Sequence, residues 1–176
     1  GSGTLQTADA KDSGLFERLI QNTSGGTVTI NGPEIHHKGR ADVASGVYWY
    51  AITTTGGGTI NVQNGTVKVS LTSTTSGVTS SGSGIAINIG TSGSVNISGG
   101  TVLGVGGRTA INCWSSADNS GTITVSGTGL VKSESGIGIN SNGDTTGRNK
   151  INVDVQGGTV QGGTYGIRIR NTASGN

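Results

Sequence analysis

Along most of this chain, single aliphatic residues alternate with small polar ones, and the alternation breaks at glycine. "TVTINGPEI" places Val28 and Ile30 on one side of a strand, then Gly32, then Ile35. The phrase returns as Ile60, Val62, Gly65 and Val67 in "TINVQNGTV", and as Val95, Ile97, Gly100 and Val102 in "SVNISGGTV". It returns again as Ile123, Val125, Gly127 and Val131 in "TITVSGTGLV", and as Val153, Val155, Gly158 and Val160 in "VDVQGGTV". A period of two is that of a half-buried strand, and Gly or Asn where it breaks marks a tight corner. Each copy therefore predicts two short strands joined by a bend.

A second phrase interleaves with the first: "GVYWYAI" from 46, "GIAINI" from 84, "RTAINC" from 108, "GIGINS" from 136 and "GIRIRN" from 166, with a degenerate "GLFERLI" from 14. The offset from Gly14 to Val28 equals that from Gly46 to Ile60, since 28 − 14 = 60 − 46, so the first two units align without a gap. Later units change length at 72–83 and 141–149. Constant strands between variable loops mark a solenoid, whose insertions leave from one side of the stack. Each unit of about 24 to 38 residues holds three short strands, so the prediction is all-β: a right-handed parallel β-helix (β-solenoid) of about five to six coils. One β-helix domain covers 14–176 and reads as a fragment of a longer solenoid. Residues 1–13 form an N-terminal segment whose "GSG" reads as a cloning remnant.

Phase then assigns columns. Aligning the second phrase at its glycines puts Ile85, Thr109, Ile137 and Ile167 in one inward column, and Trp49, Ile87, Ile111, Ile139 and Ile169 in the next. Asn88, Asn112 and Asn140 each follow an isoleucine and predict an amide stack at a corner, ending at Arg170 in the last coil. Outward columns along the first phrase read Thr27, Thr59, Ser94, Thr122, Asn152, then Thr29, Asn61, Asn96, Thr124, Asp154, then Asn31, Gln63, Ser98, Ser126, Gln156.

Composition agrees with this architecture and narrows function. Glycine reaches 35 of 176 residues and aromatics only 3%, a poor recipe for a core built on large side chains. A net charge of +2 with regular apolar positions fits neither disorder nor the basic footprint of a nucleic-acid binder. No apolar run approaches the roughly 18 residues of a membrane span, and the N-terminus has no signal-peptide pattern. Cys113 is the single cysteine, which predicts a small buried apolar residue rather than a disulfide partner.

Candidate chemistry is sparse. Carbohydrate-cleaving β-helices need clustered carboxylates, or acidic calcium ligands beside a basic residue, and the nine acids here are scattered. The expectation is a chain that is not an enzyme, with no cofactor and no metal site. "EIHHKGR" (34–40) groups Glu34, His36 and His37, which reads as a solvated loop. "GVYWYA" (46–51) is the one aromatic cluster: with Val47, Trp49 and Ala51 inward, Tyr48 and Tyr50 face solvent above Phe16 and Arg18. Trp114, and Arg168 and Arg170 near Arg148 and Lys150, complete the candidate binding residues: Tyr48, Tyr50, Trp114, Arg168 and Arg170. Thr27-x-Thr29 and Thr122-x-Thr124 would fit a flat ice-binding array, but Ser94-x-Asn96 and Asn152-x-Asp154 interrupt it.

"TITVSGTG", "VNISGGTV", "GIGINSNG" and "GTVQGGTYGIRIRN" resemble passenger domains of bacterial autotransporters, the pertactin-like adhesins in particular, from about Gly14 to Asn171. The resemblance implies a right-handed parallel β-helix at the bacterial cell surface or secreted from it, with adhesive or immune-facing roles commonest. The signal sequence, membrane barrel and Arg-Gly-Asp tripeptide of that family are absent, so no functional residue is carried over. The expected partner is a host surface protein or glycan, or another copy in cell–cell attachment, without nucleic acid or membrane insertion. A polysaccharide lyase or hydrolase is the alternative, and a structural spacer a third.

Overall fold

The computed structural model describes residues 3–7, 16–43, 46–72, 83–90, 92–106, 109–114, 120–142 and 150–170. The loops 73–82 and 143–149, including Arg148, therefore lie outside the described residues. The described residues form fifteen strands: β1 (Thr4–Gln6), β2 (Phe16–Asn22), β3 (Thr27–Arg40), β4 (Tyr48–Thr54), β5 (Thr59–Thr72), β6 (Ser83–Ile89), β7 (Ser94–Ile97), β8 (Thr101–Val105), β9 (Thr109–Trp114), β10 (Ser120–Val125), β11 (Leu130–Ser133), β12 (Ile137–Asn142), β13 (Lys150–Val155), β14 (Thr159–Gly162) and β15 (Tyr165–Arg170). Among the described residues there is no helix. Every strand pairing is parallel, and partners come from successive coils. The chain is a parallel β-solenoid.

Each coil has three faces. Strands β2, β4, β6, β9, β12 and β15 stack into one six-stranded sheet. The other two faces are the arms of the first phrase. They run as one bent strand in β3 and β5 and are split into β7 and β8, β10 and β11, and β13 and β14 in later coils. The first arm occurs five times, in β3, β5, β7, β10 and β13, so four turns separate its first copy from its last. That agrees with about four turns for the rod, against five to six expected from counting copies of the phrase.

Why the bend sits where it does follows from backbone geometry. Gly32 and Gly65 mark the corner in β3 and β5, with φ of +111° and +92°. A β-carbon at Gly65 would also run into the Pro33 carbonyl of the coil below, so both the angle and the stacking require glycine.

The two arms stack in the register that the aliphatic pattern predicts. Val28 pairs with Ile60, Ile60 with Val95, Val95 with Ile123 and Ile123 with Val153. On the second arm Ile35, Val67, Val102, Val131 and Val160 form one unbroken column. Ile60, Val67, Val95, Val102, Ile123 and Val131 are fully buried, and each such side chain stabilises by roughly 1.5–3 kcal/mol. Cys113 is buried among them, as expected.

The third face departs from the predicted columns. Trp49 lies against Gly84, not Ile87, and the isoleucine column runs Ile20, Ile52, Ile87, Ile111, Ile139, Ile167. The two glycines used for the alignment are not equivalent: Gly46 turns the chain with φ of +93° and open space around it, whereas Gly84 is required by packing. The Trp49 indole fills the coil interior, and a β-carbon at Gly39 would meet its ring at 2.6 Å. One at Gly84 would meet Val69 and Leu71 at 2.9 and 3.2 Å. The last coil slips by two residues instead, with Ile139 on Ile167 and Ile137 on Tyr165. An even slip leaves the faces unchanged, so apolar phase alone cannot detect it. A smaller irregularity pairs Asn31 with Asn64 in place of Gln63.

Candidate functional site

The outer surface of the first arm is the most regular polar feature of the molecule. Thr27, Thr59 and Ser94 are in register, as are Thr122 and Asn152; beside them run Thr29, Asn61, Asn96, Thr124 and Asp154. Their chain neighbours point into the core, so alternation alone sends these side chains outward. Asn96 Nδ2 donates to Asn61 Oδ1 at 2.9 Å, and Gln156 Nε2 donates to Asp154 Oδ2 at 2.7 Å. The face is thus a pre-ordered array of hydroxyl and amide groups.

At the corner of the third face the predicted asparagine stack is present, with one polarity. Arg168 Nε donates to Asn140 Oδ1 at 2.9 Å, and Asn140 Nδ2 to Asn112 Oδ1 at 2.7 Å. Asn112 Nδ2 donates to Asn88 Oδ1 at 3.0 Å, and Asn88 Nδ2 to the Thr53 hydroxyl at 3.4 Å. The two-residue slip makes Arg168, not Arg170, the final member. Arginine has donors and no acceptor, so only the donor end of such a chain can take it. Its guanidinium lies 5.8 Å from the centre of the Tyr165 ring, and burial together with Arg170 lowers its pKa. Replacing Arg168 by alanine should lower stability by about 1 kcal/mol, read as a shift in the urea midpoint, because water can reach the carbonyl left behind.

The aromatic cluster is only partly a surface. The Tyr48 and Tyr50 rings lie parallel, with centroids 6.1 Å apart, and the backbone register pairs Tyr48 with Phe16 and Tyr50 with Arg18 on the preceding coil, as expected. Tyr50, however, is just 6% exposed, so it does not face solvent as predicted. Burial first, then Tyr48, pushes its hydroxyl up to about 12, with Arg18 pulling the other way. Tyr48 is half-buried and Arg170 exposed. The Trp114 backbone pairs with Asn142, while its side chain lies outside the described residues.

"EIHHKGR" is strand and not loop: all seven residues lie in β3. Alternation splits the histidines between faces. His37 points inward beside Ile35 and is 1% exposed; among the described residues neither ring nitrogen has a hydrogen-bond partner. Burial, with His36 adding, holds its pKa down to about 4. His36 points outward, and its Nε2 lies 2.7 Å from Ser70 Oγ on β5, while Nδ1 lies 3.5 Å from Glu34 Oε1. Ser70 was not singled out in the sequence, although the 32-residue offset of the first two coils places it diagonally across from His36. Among the described residues no group of three His, Cys, Asp or Glu side chains is placed to hold a metal ion.

Compared with known proteins, the chain matches no family model, no curated protein and no solved structure. Function therefore has to be read from the surface itself.

Proposed function

We propose that this chain is a passenger-type segment of a bacterial surface adhesin, with the solenoid as a stiff support and the first arm as the attachment face. The supporting observation is the register of the outward Thr, Ser and Asn columns over five strands, held by amide contacts such as Asn96 to Asn61. Such a face offers donors and acceptors at the strand spacing of about 4.8 Å, without ordering cost at the moment of binding. The chemistry favours hydroxyl-rich partners, a glycan or a glycosylated host protein, or the same face on a neighbouring cell. Extracellular exposure accords with the passenger-like phrases.

Binding of the purified chain to glycan and matrix-protein arrays tests the reading. Asn61→Ala with Asn96→Ala should weaken any specific hit at least fivefold while leaving the fold intact, and Tyr48→Ala should have a smaller effect. Hits that survive both variants unchanged, or the absence of any hit, would remove the adhesive role and leave a spacer.

A further inference from the structure

The outer surface of the second arm carries chemistry that the adhesive reading does not use. Glu34, His36 and Lys38 alternate outward on β3, and Thr66, Lys68 and Ser70 do so on β5. Pairing sets His36 against Lys68 and Lys38 against Ser70. On the next strand Leu103 stands against Lys68, and Val105 against Ser70; both are half-buried. From the other side β1 brings only Thr4, Leu5 and Gln6, none of them charged.

We propose that Ser70, His36 and Glu34 form an acyl-transfer site for short-chain carboxylic esters. The order Ser70 Oγ, His36 Nε2, His36 Nδ1, Glu34 Oε1 runs through 2.7 and 3.5 Å, the arrangement of a nucleophile, its base and an acid that orients the base. The carboxylate beside Nδ1 favours the tautomer with the proton on that nitrogen, which leaves the Nε2 lone pair facing the serine hydroxyl. Burial, then Lys68, lowers the His36 pKa, with Glu34 opposing and Lys38 adding, so the ring is neutral and able to accept a proton near pH 7. The Glu34 side chain is 43% exposed against 11% for His36, so the site opens to solvent on the acid's side.

Chemistry follows from these positions. Ser70 Oγ attacks the ester carbonyl carbon as His36 Nε2 takes the hydroxyl proton, and the charge developing on the carbonyl oxygen lies near Lys38 and Lys68. The carbon–oxygen bond to the alcohol then breaks, and the alcohol leaves with the proton from His36. Water attacks the acyl-serine, gives its proton to His36, and the acid departs as Ser70 regains a proton. Leu103 and Val105, half-buried on the adjoining strand, offer apolar surface to a short acyl group. Ester and water become acid and alcohol, with no cofactor needed.

The test uses a fluorophosphonate probe with peptide mapping, and p-nitrophenyl acetate hydrolysis, on the purified chain. Ser70 should carry the label, and Ser70→Ala and His36→Asn should each lower hydrolysis at least tenfold. Glu34 and Ser70 are only half-buried, so the unfolding midpoints of Glu34→Gln and Ser70→Ala should stay near wild type; His36 is 8% exposed, so Ser70→Ala is the variant that separates lost chemistry from lost fold. The rate should rise with pH through a midpoint below 6.5. Glu34→Gln should move that midpoint lower still, because it removes the charge that raises the His36 pKa; a purely structural role for Glu34 would not shift it. Label on other residues only, or wild-type hydrolysis by Ser70→Ala, would overturn the proposal. The site lies on a different arm from the attachment face, so array binding can fail while esterolysis persists, and the converse.

Discussion

Asn112→Leu is expected to lower the stability of the solenoid by about 2–5 kcal/mol, although leucine is larger and more apolar than the residue it replaces. Asn112 stands in the middle of the amide chain, accepting from Asn140 and donating to Asn88, and is 5% exposed. Leucine removes both bonds and leaves Asn88 Oδ1 and Asn140 Nδ2 buried without partners. Each stranded group costs roughly 1–3 kcal/mol, because folding has taken it from water with nothing in return. In a stack of coils stability is close to a sum of neighbour terms, so a central break weakens two interfaces at once. Urea titration is the check, and a midpoint shift equivalent to less than about 0.5 kcal/mol would show that the ladder is incidental. Asn112→Asp supplies a control with directional content. It keeps the acceptor for Asn140 but faces Asn88 Oδ1 with a second acceptor. Its deficit relative to wild type at the same pH should shrink as acid protonates the new carboxyl and restores a donor.

The ladder also shows how far the sequence could be read. Asn88, Asn112 and Asn140 follow isoleucines at matching places, so their stacking could be derived, and so could the arms, where aliphatic pairs flank a glycine corner at nearly constant spacing. Local physics decides those positions: two inward methyl-bearing residues and a positive-φ glycine have only one comfortable register on the coil below. On the third face the anchors were glycines present for different reasons. Gly46 turns the chain with φ of +93°, whereas Gly84 makes room for Val69 and Leu71, and that demand arises from residues on a different face of the coil. Nothing within "GIAINI" signals it. The exposure of Tyr50 failed for a related reason, since alternation gives the direction of a side chain but not what covers it.

The candidate chemistry was legible in a different sense. His36 and Glu34 stood out as a cluster, but their partner Ser70 is one of many serines and lies 34 residues away. Only the register makes it special. With Val28 on Ile60 and Ile35 on Val67 already derivable, Lys38 had to lie on Ser70, and a diagonal contact to His36 follows. The lesson in physical terms is that a solenoid turns a fixed sequence offset into spatial adjacency, so chemistry should be sought across coils and not along the chain.

His37 leads to the other large effect, a loss of stability in mild acid. Its ring sits inward among Ile35, Val67 and Val69, with a folded-state pKa of about 4 against 6.5 for the free side chain. Above pH 6.5 both folded and unfolded chains hold the neutral ring, and stability is fully present. Between 6.5 and 4 the unfolded chain binds a proton that the folded chain refuses, so stability falls as pH falls, by at most about 1.4 kcal/mol per unit. Below 4 both states are protonated at this site and the loss levels off at about 3 kcal/mol. His36, also lowered, acts in the same direction, while Glu34, Lys38 and Lys68 on the outer surface face it and not His37. Unfolding midpoints measured from pH 7.5 to 3.5 should therefore decline most steeply between 6 and 4.5. His37→Leu should flatten most of that decline and be at least as stable as wild type at pH 7, because it removes two unpartnered nitrogens from the core. A His37→Leu profile that still falls in parallel with wild type would place the acid sensitivity elsewhere and show that the inner ring is solvated in solution.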